Sequence, residues 1–461
     1  MVGGVVNVPQ TRWARTVDGA CIAYQDIGGG PDTLVVVNGW VSHLEVYWEQ
    51  PRYVRFVQRL SRNMRVLLFD KRGVGMSDRV SGTPDLGILL DDVRAVMDAA
   101  GVQKAALLAW GGPGPQLAAF FAATYPERTV CFALAGQLHE RREADYRWGD
   151  EREAFEAGLA SVLSSWGAEA GALDFVRAGY GLRSSEGAPY NEPAFLRWNA
   201  KLARYAATPA SCEAFERMWF ETDVREILRT ISVPTAVFFS RDDEDSAENA
   251  RVQASWIPGA RVLPVDTPAE VIWVAEPEPI VSAIEHFMAS VRNEEAELDR
   301  MLATVLFTDV VGSTQKAVEL GDHRWKDLLE RQQIAVRALL ARYRGTEIKT
   351  MGDGFLATFD GPARAVRCAQ GICEAVKPLG LEVRAGCHTG EIELMGADVG
   401  GIAVHIGARV GALARPSEVL VSSTVKDLVA GSDLCFADRG DHELKGVPGS
   451  WRLYAVEPAG A

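Results

Sequence analysis

The chain has 461 residues, 48 Lys+Arg against 62 Asp+Glu, a net charge of −14, and 48% hydrophobic and 24% charged residues, the composition of a folded globular protein. One hydrophobic core rarely grows beyond roughly 250–300 residues, so at least two domains are expected. The acidic balance excludes nucleic acid or an anionic membrane surface as the main partner, because phosphate groups need clustered Lys and Arg.

The charge is unevenly spread: 30 Lys+Arg against 42 Asp+Glu precede Met301, and 18 against 20 follow from there. The nearly neutral C-terminal part is therefore the better place to collect an anionic substrate such as a nucleotide. The opening MVGGVVNVPQTRWART lacks the basic and apolar regions of a secretory signal, and no later run reaches the ~18 apolar residues of a membrane span. A cytoplasmic location without a membrane segment is expected. The seven cysteines are scattered without CxxC spacing, which predicts reduced thiols, no disulfide and no zinc site.

Through residue 290, apolar runs TLVVVN (33–38), MRVLLFD (64–70), KAALLAW (104–110), TVCFALAG (129–136), TAVFFS (235–240) and ARVLPV (260–265) alternate with helical patterns. Continuous runs of this kind are the mark of strands buried on both faces. Residues 138–228 lack them and carry helix formers and Trp, so the prediction is a doubly wound α/β domain over 1–290 with a helical cap. The charged stretch RNEEAELDR suggests a linker, placed at 291–300. From there a second domain, 301–461, reads as strand (303–310), long helix (317–343), hairpin (347–359), helix, a strand pair (383–394), helix and strand (418–423). That order is a ferredoxin-like α+β pattern with extra strands.

Four segments of the first part, VVVNGWVSHLEVYWE, LLFDKRGVGMSD, LLAWGGPGPQLAAFFAATYPER and IPGARVLPVDTPAEVIWVAEP, resemble the α/β-hydrolase family over residues 10–290. In that fold a GxSxG elbow exposes a nucleophile at a sharp strand-to-helix turn. Here the turn reads Ala109-Trp110-Gly111-Gly112-Pro113, with Gly111 at the nucleophile position. The resemblance puts the acid at Asp242 and the general base at Glu270, where a His would stand. His43, His139 and His286 lie elsewhere, and Ser42 with His43 is the remaining Ser–His neighbour pair. Without nucleophile and base, covalent acyl transfer is not expected. The domain is then regulatory or structural, with Trp40, Trp48, Trp110 and Trp273 read as core aromatics around a pocket that could take a small apolar ligand.

In the second part, Asp309 ends an apolar strand and Gly312, Ser313 and Thr314 open a helix, where free backbone N–H groups can hold phosphate oxygens. Asp353 lies in the MGDG hairpin tip, a turn of the Asp-Gly kind. Singly each acid is an ordinary turn or cap residue; together, two hard oxygen donors on adjacent strand ends suit Mg²⁺ or Mn²⁺. FTDVVGST, EIKTMGDGF, VRAGCHTGE and DVGGIAVHIGARV, in this order, resemble the class III nucleotidyl cyclase catalytic domain over 301–456.

That resemblance implies that Asp309 and Asp353 hold two Mg²⁺ or Mn²⁺ ions, that Lys349 and Asp398 read adenine, and that Arg384 and Lys445 grip the triphosphate. It assigns Arg409 to the charge developing on the α-phosphate. At position 405 the family more often has Asn, and this chain has His405, which shares a helix face with Arg409 and titrates near neutral pH. The family builds each site from two protomers, which implies a homodimer with two equivalent sites. The expected activity is ATP to cyclic AMP and pyrophosphate, with the hydrolase-like part as a sensor. The alternatives are a non-catalytic nucleotide sensor and an esterase or lipase, the latter opposed by Gly111 and Glu270.

Overall fold

A computed structural model describes residues 8–79, 85–172, 192–266, 272–298, 300–396 and 398–457, which divide into two compact units, Met1–Val291 and Arg292–Ala461. In the first, β1 (Arg12–Arg15), β2 (Cys21–Ile27), β3 (Asp32–Val37), β4 (Met64–Phe69), β5 (Ala105–Trp110), β6 (Thr129–Ala135), β7 (Thr235–Ser240) and β8 (Arg261–Val265) form one sheet in the order β1-β2-β4-β3-β5-β6-β7-β8. From β4 to β8 every pair is parallel, and β1 and β2 are antiparallel additions. The expected strands and the doubly wound class are both present.

The central strands β3 to β7 are largely apolar because both of their faces are covered. Val35, Val37, Leu107 and Ala109 join one core layer, while Leu34, Val36, Leu108 and Trp110 join the other. That alternation corrects the pocket expectation. Trp40 lies in the first layer, but Trp48, Trp110 and Trp273 lie in the second, so the four do not surround one cavity. Between β6 and β7, the helices Arg152–Ser164, Pro193–Ala206 and Pro209–Glu221 account for the predicted helical insertion.

The second unit contains β9 (Arg300–Val310), β10 (Thr346–Met351), β11 (Gly354–Phe359), β12 (Val383–Met395), β13 (Asp398–Gly400), β14 (Val419–Ser422), β15 (Phe436–Glu443) and β16 (Ser450–Val456), ordered β10-β11-β9-β12-β14-β16-β15 with β13 on β12. Helices Asp322–Tyr343 and Pro362–Val376 cover one face through Val336, Leu340, Val366 and Ile372. Helix Ile402–Leu413 lies on the other through Ala403, Ile406 and Val410. Its approach is close: a Cβ built on Gly386 of β12 would stand 2.1 Å from the Gly411 nitrogen.

Three local expectations change. The single helix expected at 317–343 is two, Ser313–Leu320 and Asp322–Tyr343, because Gly321 takes φ 77° between them. The strand pair expected at 383–394 is one 13-residue strand, β12, with the three-residue β13 as its partner. The charged stretch after residue 291 is helical to Leu298, continuing the helix from Pro277, since Glu, Ala and Arg are good helix formers even without an apolar face.

Candidate active site

Asp309 stands one residue from the end of β9, and antiparallel pairing with β12 sets it opposite Arg384. Arg384 Nε donates to Asp309 Oδ2 at 2.9 Å, Nη2 reaches the same oxygen, and Nη1 donates to the Ala412 carbonyl at 3.2 Å. On its other edge β9 pairs with β11, Thr308 opposite Phe355, and the Phe355 N–H donates to Thr308 Oγ1 at 3.2 Å. Asp353, two residues before Phe355, is thereby brought to the same end of the sheet as Asp309.

Met351 pairs with Gly354, so the two-residue tip is Gly352-Asp353 rather than the Asp-Gly pair expected, with Gly352 at φ 71° in the first turn position. Asp353 is half-buried, and its Oδ2 is buried without a hydrogen-bond partner among the described residues. Its main-chain oxygen accepts from Nε2 of the fully buried Gln332 at 3.3 Å, a support that sequence reading missed because nothing in its helix marks it. A cavity of about 160 Å³ opens between Asp309, Arg384, Met351, Gly354 and Ala412. Two carboxylates at one end of the sheet, one of them holding an orphaned oxygen and the other bonded to Arg384, are a hard-donor set that fits a divalent cation.

Lys349 and Asp398 meet although 49 residues separate them. Lys349 Nζ donates to both carboxylate oxygens, at 2.8 and 2.7 Å, and the Val399 N–H adds a third bond at 2.8 Å. These bonds hold the Asp398 carboxyl below its usual range, the Lys349 bond being the larger cause. Asp398 stands at the start of β13.

His405 and Arg409 are exposed one turn apart on helix Ile402–Leu413. Arg409 Nε donates to the main-chain oxygen of Lys445 at 3.1 Å, which leaves the exposed Lys445 side chain free to turn elsewhere. Among the described residues, neither His405 nor Arg409 bonds to Asp309, Asp353, Lys349 or Asp398. Gly312 takes φ 65° and caps helix Ser313–Leu320, whose first N–H groups, at Ser313 and Thr314, receive no side-chain cap. One chain therefore bonds Asp309 to Arg384 and Lys349 to Asp398, while Ala408 and Ala412 of the helix that carries His405 and Arg409 line the same cavity as Asp309.

In the first unit the strand-to-helix elbow reads Trp110-Gly111-Gly112-Pro113, with no hydroxyl or thiol on it. Gly111 follows β5 at φ 63°, and helix Gly114–Thr124 begins three residues on. A methyl built on Gly112 would lie 1.9 Å from Trp219 Cε2, so the indole covers the elbow. The Trp40 N–H, on the turn after β3, donates to the Gly112 carbonyl at 3.0 Å. Asp242 is exposed beyond β7, and Glu270 lies outside the described residues. Ser42 Oγ donates to the buried Asp70 Oδ1 at 2.7 Å, while His43 caps the next helix by accepting from the Val46 N–H at 3.4 Å. The two do not act on each other. Trp219 could not be singled out in the sequence, since its contact with Gly112 spans more than a hundred residues.

The family model of the adenylate and guanylate cyclase catalytic domain matches residues 299–458, and that of the alpha/beta hydrolase fold matches residues 32–274. Putative adenylate cyclase 3 of Rhizobium meliloti is 30% identical over 175 residues, which are 34% of this chain and 29% of that protein. The chain thus spans under a third of that relative. Receptor-type adenylate cyclase GRESAG 4.3 of Trypanosoma brucei brucei is 26% identical over 204 residues, 33% of this chain and 16% of that protein. The esterase EaEST from Exiguobacterium antarcticum is similar in fold, with a TM-score of 0.51 and 18% identity over 61% of this chain and all of its own. No helix among the described residues is long and apolar enough to cross a membrane.

Proposed function

Because the chain belongs to the α/β-hydrolase fold family through residues 32–274 and carries a class III nucleotidyl cyclase catalytic domain over 299–458, we propose that it converts ATP to 3′,5′-cyclic AMP and pyrophosphate. The observation that carries the choice of ATP is the Lys349–Asp398 pair. Adenine offers an amino donor beside a ring-nitrogen acceptor, and guanine reverses that order. Asp398 accepting from the amino group and Lys349 donating to the ring nitrogen match adenine's N6 and N1, where guanine presents its O6 acceptor and N1–H donor.

Asp309 and Asp353 are the residues that would hold the divalent cations. When bound, such ions acidify the ribose hydroxyl and offset triphosphate charge. The chain's own groups do the rest. The Gly312–Thr314 turn and Lys445 bind phosphate oxygens. Arg384 exchanges its Asp309 contact for a phosphate. Arg409 forks onto the α-phosphate oxygens as charge builds there, with His405 donating beside it. The 3′-oxygen bonds to the α-phosphorus, the bond to the β-phosphate bridge breaks, and the hydroxyl proton leaves to solvent.

Among the described residues His405 and Arg409 make no hydrogen bond to the acids of their own chain, which fits a homodimer in which each site takes Asp309 and Asp353 from one protomer and Lys349, Asp398, His405 and Arg409 from the other. Exposed apolar residues on the same unit are available to such an interface: Leu302 is 65% exposed, Ile402 55% and Met395 53%. In this reading the hydrolase-like unit performs no acyl transfer.

The test is turnover of ATP and GTP by the full chain with Mn²⁺. ATP is expected to be preferred by at least about 100-fold in kcat/KM, the scale of a reversed hydrogen-bond pair. Equal turnover of the two would overturn the base assignment. Binding of ATP without turnover would favour a nucleotide sensor.

A further inference from the structure

Beneath the covered elbow of the first unit, a cavity of about 80 Å³ is walled by Phe155, Leu159, Val162, Glu216, Trp219 and Phe220. Phe155 and Phe220 stack at 4.0 Å. Trp40 is held between Trp166 and Phe215, 5.9 and 5.5 Å between ring centres, and its Nε1 donates to Glu216 Oε1 at 2.8 Å. Among the described residues, no cation meets the second carboxylate oxygen of Glu216.

The guanidiniums nearby are committed elsewhere: Arg217 to Glu156 at 2.7 Å and Glu213 at 3.0 Å, Arg152 to Glu221 at 2.8 Å, and Arg141 to Glu221 at 3.6 Å. Glu140 and Asp150, which also reach this wall, add only negative charge. One turn along the same helix, the Trp219 indole N–H is buried and has no hydrogen-bond partner among the described residues. A carboxylate without a cation and an orphaned donor, on residues that wall a cavity of aromatic, aliphatic and acidic side chains, are each costly in the absence of a ligand.

We propose that this cavity is a binding site for a short aliphatic amino alcohol taken up as its ammonium. The charged nitrogen donates to Glu216, the hydroxyl oxygen accepts from Trp219, and the carbon chain lies against Phe155, Leu159 and Val162, with the aromatic faces adding cation–π attraction. Without an atom at Gly111 capable of attack, the site holds its ligand and does not transform it. The proposal is independent of the cyclase reading, since every residue in it belongs to the hydrolase-like unit.

Calorimetric titration of the full chain with 1-amino-2-pentanol, 2-pentanol and pentanoate tests it. The amino alcohol is expected to bind at least about tenfold more tightly than the alcohol, and pentanoate more weakly than either. Burial pushes the Glu216 carboxyl up to about 7, so affinity for the amine should rise about tenfold from about pH 6 to about pH 8, as the carboxylate forms while the amine stays protonated. Glu216→Gln should lose both the preference and the pH dependence and keep its affinity for 2-pentanol. An alcohol bound as tightly as the amine, tighter binding of pentanoate, an unaffected variant, or no binding of any probe would each overturn the assignment. The pH profile of the unaltered protein decides the matter even if the variant fails to fold.

Discussion

Mixing two inactive chains should restore activity in a fixed proportion. Take Asp309→Asn, which removes a cation ligand yet leaves an oxygen for Arg384, and Arg409→Ala, which gives up an exposed contact with the Lys445 carbonyl. Neither change touches a core cluster, so each should cost less than ~0.5 kcal/mol of stability. If each site takes Asp309 from one protomer and Arg409 from the other, every site in either mutant homodimer lacks one essential group. A heterodimer holds one site with both groups intact and one with neither. Random exchange at equal concentrations makes about half the dimers heterodimers, so the mixture should reach about one quarter of wild-type specific activity. Each parent alone should lose about a hundredfold or more. Cyclic AMP formation is measured after subunit exchange, with native mass spectrometry reporting the heterodimer fraction. Heterodimers that form without recovered activity would refute shared sites, as would a recovery that tracks monomer concentration instead.

Lys349→Glu places a carboxylate against Asp398 where a 2.7 Å ion pair stood, so kcat/KM for ATP should fall at least about tenfold, while Mn²⁺ affinity, read by electron paramagnetic resonance, should stay within about twofold. Gly111→Ser should fold, since a Cβ there meets Gly39 at an ordinary 3.4 Å, with the positive φ costing ~1–2 kcal/mol in denaturant unfolding. It should still hydrolyse no p-nitrophenyl ester; turnover would show that the Trp219 cover opens. Glu216 is pushed up from 4.5 to about 7 by burial, so the folded unit binds a proton that the unfolded chain releases. Its stability should fall as pH rises from about 4.5 to about 7, by at most ~3 kcal/mol and less for residual exposure. Glu216→Gln should flatten that fall in urea unfolding followed at two pH values, and parallel slopes for the two proteins would contradict it.

What the chain order alone determined was the alphabet of both units. Runs such as TLVVVN and TAVFFS became β3 and β7 because strands covered on both faces leave an unbroken apolar record. The end of β9 at Asp309 and the hairpin that carries Asp353 were legible too, because glycine turns and strand ends are local events. Helix and strand limits failed where a local signal was ambiguous, as at Gly321 and in the Glu-rich stretch after residue 291, which propagates a helix instead of breaking it.

Only the tertiary structure decided which of these residues meet. Sheet register set Arg384 against Asp309, and the fold set Lys349 against Asp398 across 49 residues. It divided the tryptophans between two core layers, because neighbours along a strand face opposite ways. It also laid Trp219 over Gly112 and Glu216 under Trp40, 176 residues apart. Such contacts leave no mark in spacing, since closure of a long loop is governed by the whole core and not by the residues that happen to touch.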